Sequence, residues 1–339
     1  MAEACSSLAI VSQVYSSRLT AKTYNKLTLV HRKNATHTAV VVGDSYADDH
    51  DMGFETWPHL LTQTVLNQTA LITATGGTTS DQAVTQLERA HAHLEAVPGA
   101  LIVHTGGNDL LQSLWWPHMV LLLAFDVALL IVTRLSLTRP LERPPLFSFA
   151  GVISRRLSSN LIKLLDASVQ LGHKSMIVSH LPLCPAIPLA RTLLRILTFG
   201  LASDDLLTEL LLEYANLFRS EIDAALNGFL SKRPNINLIV FDEGYHLHDL
   251  ATAMGADRFG AMDIVYVKVR RESHASGFLS GACWLASKFA RILGGGRGVT
   301  EKSANFWRDL HHPSQNVHFE MCKRVGQQWQ AHAVKVDSN

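Results

Sequence analysis

The stretch Ala39-Val40-Val41-Val42-Gly43-Asp44-Ser45-Tyr46-Ala47-Asp48 decides how the chain is read. Its small and β-branched apolar residues suit a strand buried on both faces. Gly43 ends the run, and Asp44-Ser45 follows in a tight turn. A serine at the carboxyl end of a strand lies on the edge where α/β proteins bind ligands. If a helix begins just beyond it, backbone N–H groups there can face an oxyanion. Taken alone, the same residues fit an N-cap or a simple turn.

Four more short apolar runs follow: Ala70-Leu71-Ile72, Ala100-Leu101-Ile102-Val103, Met176-Ile177-Val178 and Leu238-Ile239-Val240-Phe241. Helical spacing fills the gaps. Ala83, Leu87, Ala90 and Leu94 share one face, and Leu161, Leu164, Leu165, Ala167 and Val169 recur similarly before the fourth run. Alternating strands and helices predict a parallel sheet covered on both sides. Residues 1–36 are polar and mildly basic, and are expected to form a tail or a surface helix. Residues 37–339 are expected to form a single domain.

The chain has 339 residues, 47% of them hydrophobic and 17% charged, so it can bury a large core and is not a disordered chain. Thirty basic against 29 acidic residues leave a formal charge of +1, which argues against a nucleic-acid partner gripped by a basic face. Cys5, Cys184, Cys283 and Cys322 are too scattered for a zinc site or a secreted framework, and reduced thiols are expected. No apolar run behind a basic start opens the chain, so no export signal is read.

Two insertions, near 114–150 and 251–303, depart from the rhythm. Leu114 to Leu135 is strongly apolar, opens with Trp115-Trp116-Pro117 and carries Asp126 at its middle. Its length suits a membrane crossing. A single crossing would separate candidate site residues that must meet, and Asp126 would add a cost of a few kcal/mol. A helix over the cleft, an interfacial helix and a buried core helix all remain open. In the second insertion, Gly294-Gly295-Gly296-Arg297-Gly298 neither follows a strand nor matches a phosphate-binding pattern, and reads as a loop. His246-Leu247-His248-Asp249 could set two imidazoles on one strand face near Asp242, but nothing shows the ligands converging, and the stretch reads instead as a solvated loop. His91 and His93 are expected on a helix surface. No zinc-protease, Walker or dinucleotide motif is present, so neither metal nor cofactor is expected.

Three further pieces could carry chemistry. Thr75-Gly76-Gly77-Thr78-Thr79-Ser80 follows the second run, and glycine there lets the backbone offer an N–H to a ligand. Gly106-Gly107-Asn108-Asp109 follows the third run; its asparagine amide could donate to an oxyanion while Asp109 braces the loop. Asp309-Leu310-His311-His312-Pro313 lies near the C-terminus. A carboxylate three residues before a histidine can fix its tautomer and leave the other nitrogen to accept a proton, which favours His312 over His311.

Together, Gly43-Asp44-Ser45-x-x-Asp48, Gly77, Gly107-Asn108-Asp109 and Asp309-x-x-His312-Pro313 resemble, in order, the four blocks of the SGNH (GDSL-type) hydrolases. The likeness spans about Thr38 to Gln330 and is nearest the branch of lipases, esterases and thermolabile-haemolysin-like phospholipases. His180-Leu181-Pro182-Leu183-Cys184-Pro185 also resembles that branch's Leu-Pro-rich loop. Tyr46 departs from it, standing where leucine is usual and where the side chain packs inward.

The resemblance implies a flavodoxin-like three-layer α/β/α sandwich on a five-stranded parallel sheet. It implies Ser45 as nucleophile, His312 as base and Asp309 as its orienting partner. The implied oxyanion donors are the Ser45 and Gly77 N–H groups and the Asn108 side chain, with Gly43, Asp44, Asp48, Gly107 and Asp109 in support. The expected activity is carboxylic ester hydrolysis through an acyl-enzyme, with an acyl lipid as substrate. Carbohydrate O-deacetylation and acyl transfer are alternatives within the class, and a silent membrane-binding module is one outside it. Peripheral membrane contact through 114–135, and a location in the cytoplasm or at an intracellular membrane, complete the expectations.

Overall fold

A computed structural model describes residues 27–32, 35–94, 97–135, 148–181, 183–198, 202–257, 306–308 and 312–337. Five strands grow from the five apolar runs: β2 (His37–Gly43), β3 (Thr69–Ile72), β4 (Val97–His104), β5 (Ser175–Ser179) and β6 (Asn237–Phe241). All five are parallel, and the resemblance's five-stranded sheet gains a sixth member. β1 (Thr28–Val30) pairs antiparallel with β3, giving the order β1-β3-β2-β4-β5-β6. Those three residues were expected within a tail or surface helix. They are half-buried to exposed, because an edge strand has one neighbour and no deep face to fill.

Alternation along each buried strand builds two apolar layers. Val41, Ile102, Ile177 and Ile239 face one side, packing on Trp57 and Leu61 of α2 (Trp57–Thr64), Leu247 of α9 (Glu243–Ala253) and Met321 of α10 (Gln315–Asp337). Val40, Val42, Leu101, Val103 and Val178 face the other. They meet Leu87 of α3 (Ala83–Ala92), Leu164 of α6 (Phe149–Gln170) and Leu226 of α8 (Asp204–Ser231). The molecule is therefore an α/β/α sandwich, and burial on both faces is what the continuous apolar runs required.

The apolar insertion forms a corner. Short α4 (Gly107–Ser113) meets α5 (Pro117–Leu135) at a bend of 105°, measured as far as Leu129. Among the described residues no single helix is long and apolar enough to cross a membrane. Met119, Leu123 and Val127 form a buried stripe on α5, packed with Phe149, Leu157, Leu210 and Phe218 in a satellite core. Asp126 is also buried. Its Oδ2 accepts the Ala150 N–H at 3.0 Å and the Tyr214 hydroxyl at 3.2 Å. Burial raises its pKa against the pull of those two donors. Trp115, Trp116, Leu121 and Phe125 stay on the surface.

Residues 258–305 lie outside the described part, and with them the glycine cluster and most of the second insertion. His246 and His248 sit in α9 rather than on a strand. Asp242, whose side chain accepts the Tyr245 N–H, starts that helix directly after β6. Cys184 and Cys322 are buried free thiols.

Candidate active site

The site begins with Gly43, which closes β2 at φ +148°. A Cβ there would stand 1.9 Å from the His104 carbonyl oxygen of neighbouring β4, so only glycine fits. Gln86 of α3 brackets the glycine: its Oε1 accepts the Gly43 N–H at 2.7 Å, and its Nε2 donates to the Gly43 carbonyl at 3.0 Å. The chain then turns sharply, with the Ala47 N–H donating to the Asp44 carbonyl. Ser45 stands in this turn, 7% exposed.

From the far end of the chain comes His312. Residues 306–308 pair with 312–314 through Arg308 N–H to His312 carbonyl and Ser314 N–H to Phe306 carbonyl, each at 2.8 Å. Phe306 and Trp307 anchor this pairing in the core, just ahead of α10. The Ser45 hydroxyl and His312 Nε2 then lie 2.6 Å apart, both side chains nearly buried. Asp309, Leu310 and His311 lie outside the described residues, so the orienting carboxylate has no described geometry.

Hydrogen bonds lace the loops after β2, β3 and β4 together. Asp48 caps the short helix α1 (Asp49–Met52) through the His50 and Asp51 N–H groups, and its other oxygen accepts the Gly76 N–H at 2.9 Å. Asn108 Nδ2 donates to the Thr78 carbonyl at 3.0 Å, and Gln112 Nε2 to the Gly77 carbonyl at 3.0 Å. Asp109, buried, accepts both the Ser80 N–H at 2.7 Å and the Ser80 hydroxyl at 2.8 Å. Burial raises the pKa of Asp48 and of Asp109 against these donors. Gly77 adopts φ +85°, the left-handed region. Among the described residues, no acceptor meets the N–H of Ser45 or of Gly77, and one Asn108 amide proton remains beyond its Thr78 bond. Gly107 opens α4 under Asp44, where a Cβ would come 3.3 Å from Asp44 Oδ2.

Tyr46 points inward, as its position demands, and is 4% exposed. Its ring stacks on His104 at 4.9 Å and 7°, and tilts toward His312 at 5.3 Å. His104, Glu243, Ser179 and His318 were not singled out in the sequence, yet they are buried under the same turn. The available signal was a polar residue at the end of an apolar run: His104 closes the third and Glu243 follows the fifth. His318 Nδ1 accepts the Trp57 N–H at 3.1 Å. Burial, with the charges of His104, His312 and Arg308, drives the His318 pKa down to about 3, so the ring stays neutral.

Other histidines serve packing. His246 stacks on Phe241 at 5.0 Å and meets Arg324, while His91, expected at a helix surface, contacts His173 at 2.8 Å. Among the described residues, no group of three or more His, Cys, Asp or Glu could hold a metal ion.

In its α/β/α layers the fold is similar to that of several solved structures. Three solved structures illustrate the likeness. A lipolytic protein of the G-D-S-L family from Veillonella parvula is 11% identical, over 85% of this chain and 96% of that one, with a TM-score of 0.38. A psychrotrophic esterase from Pseudoalteromonas is 14% identical over 64% and 81%, with a TM-score of 0.34. An acetylxylan esterase from Geobacillus stearothermophilus is 12% identical over 78% and 98%, also at 0.34. No family model matches the sequence, and no curated protein matches it.

Proposed function

We propose that the chain is a serine hydrolase of carboxylic esters. The observation that carries this reading is the 2.6 Å contact between the Ser45 hydroxyl and His312 Nε2, beside backbone and amide donors left free to face an oxyanion. His312 takes the Ser45 proton as Oγ attacks the ester carbonyl, and the oxyanion forms against the Ser45 and Gly77 N–H groups and the Asn108 amide. His312 passes that proton to the leaving alcohol, and an acyl-enzyme remains. Water then repeats the sequence, giving its proton to His312 and releasing the acid. Asp309 is assigned to orient His312 on the resemblance of its block.

The surface corner beside the site supports an acyl lipid as substrate. Trp115 and Trp116 are exposed at the turn between α4, which carries Asn108, and α5, and Leu121 and Phe125 are exposed on α5. Aromatic and aliphatic side chains of this kind sit well at a lipid interface. Peripheral contact with a membrane through 114–135 belongs to the same proposal.

Turnover of aryl esters from acetyl to long-chain acyl tests it. Wild-type rates should rise with chain length and Ser45→Ala should have none. A sharp preference for acetyl would favour carbohydrate deacetylation instead, and products carrying an added acceptor alcohol would favour acyl transfer. No turnover of any ester would leave a silent module and defeat the proposal.

A further inference from the structure

Beneath the Ser45 turn lies a set of ionisable side chains that the hydrolytic steps above do not use. His104, the last residue of β4, is fully buried. Its Nδ1 stands 2.9 Å from Asp44 Oδ1, and its Nε2 stands 2.7 Å from Glu243 Oε2, an ion contact off the line of a hydrogen bond. Glu243, at 1% exposure, also accepts the Ser179 hydroxyl at 2.5 Å. Four polar side chains thus cross the carboxyl edge of the sheet, from the turn after β2, through β4, to the ends of β5 and β6.

The geometry constrains the charge. A neutral imidazole carries one N–H and would turn a bare lone pair toward one of the two carboxylates. Each ring nitrogen of His104 has a carboxylate oxygen within 2.9 Å, so a proton on both satisfies the arrangement and on one does not. Burial opposes the charge, but the Glu243 and Asp44 carboxylates together outweigh it and push the His104 pKa up to about 10. The remaining neighbours bring no further charge against the ring. Tyr46 covers one face, Trp57 meets it edge-on at 6.5 Å, and His318 is neutral. His312 lies beyond Tyr46.

We propose that His104 is a positioning residue for the reaction at Ser45. Its doubly protonated ring clamps Asp44 to Glu243, fixes the Gly43-Asp44-Ser45 turn, and leaves one net negative charge behind the Ser45–His312 pair instead of two. Asp44 makes the coupling direct, because the same Oδ1 that faces His104 accepts the Tyr46 N–H at 3.2 Å from within the turn. Loosening it misplaces the nucleophile, and a small misplacement can cost as much as about 10²-fold in rate. The inference rests on the hydrolase reading above.

Two substitutions with different effects on that charge test it. His104→Gln leaves two unmatched carboxylates, which favour a protonated His312, so the acid limb of the kcat/KM profile should move to higher pH. Glu243→Gln removes one of the two opposed carboxylates, so His104 gives up its second proton with it, the net charge behind the pair is unchanged, and the limb should stay in place. Both should lower kcat by about tenfold or more with little change in KM. A merely structural role predicts lower kcat with the limb unmoved in both variants, or moved alike in both; either result overturns the proposal, which requires the limb to move in His104→Gln alone. Nitrogen NMR of wild-type His104 at mildly alkaline pH needs neither substrate nor variant. Two protonated ring nitrogens are expected there, where an ordinary histidine is neutral; one bare nitrogen would also overturn the proposal. If the wild type cleaves no ester, the hydrolase reading fails, while the NMR result still judges the charge on His104.

Discussion

β4 carries a buried histidine partner at each end, and the two ends have opposite electrostatics. At its carboxyl end, His104 is held between two carboxylates and stays charged. Near its amino end, His173 donates from Nδ1 to the Gly99 carbonyl at 2.8 Å and meets His91 Nε2 with its own Nε2. Burial lowers the pKa of both His173 and His91, and among the described residues no carboxylate counters it. Desolvation alone drives a buried imidazole neutral; keeping the charge takes opposed carboxylates. Among the described residues, a histidine held between two carboxylates is found on the edge where the loops carrying Ser45, Gly77 and Asn108 meet. At the other edge the His173 and His91 contacts are hydrogen bonds between neutral groups.

The comparison can be broken most sharply at Ser45. Ser45→Ala should reduce ester turnover by roughly 10⁶-fold with unchanged melting, whereas His173→Gln should leave turnover within about twofold. Comparable losses from both variants would erase the distinction between the two edges. Next comes Gly43→Ala, whose Cβ meets the His104 carbonyl; it should cost about 4 kcal/mol of stability by denaturant unfolding, more than any surface glycine change. Asn108→Ala should raise the barrier by about 3 kcal/mol, on the order of 10²-fold in kcat, with little effect on melting.

A smaller effect separates the charged and neutral histidines by pH. The pKa of His104 is higher in the folded than in the unfolded chain, so its contribution is complete below about 6.5 and is lost as pH rises toward about 10. His318 is the reverse. Held down to about 3, it contributes fully above about 6.5 and loses that contribution as pH falls toward 3. Thermal melting followed across pH should therefore fall on both sides of a maximum. His104→Asn should flatten the alkaline side and His318→Gln the acid side. Unaltered slopes would contradict the two charge states.

The five parallel strands were legible because a strand buried on both faces writes itself as an unbroken apolar run, as in Ala39–Val42. β1 was not, since Thr28–Val30 is too short to show a period and gains its order only by pairing with β3. At the site, Ser45, Gly77 and Asn108 stood out because a glycine or polar residue ending an apolar run is a local signal. His104 and Glu243 carry that signal too, but their meaning lies in each other, one at the end of β4 and the other at the start of α9, brought together only by folding. The stretch holding His246 and His248 reads as a solvated loop because its polar residues hide the helical period; the Asp242 cap makes it a helix. Leu114–Leu135 could not be decided from hydropathy, because the stripe of Met119, Leu123 and Val127 is defined by the helices it packs against.

Labelling with a fluorophosphonate, followed by peptide mapping, puts the nucleophile–base assignment to its most direct test. Wild-type protein should carry the adduct on Ser45, His312→Ala should label far more slowly, and Ser45→Ala should not label. An unlabelled wild type, or equal labelling of wild type and Ser45→Ala, would contradict the assignment.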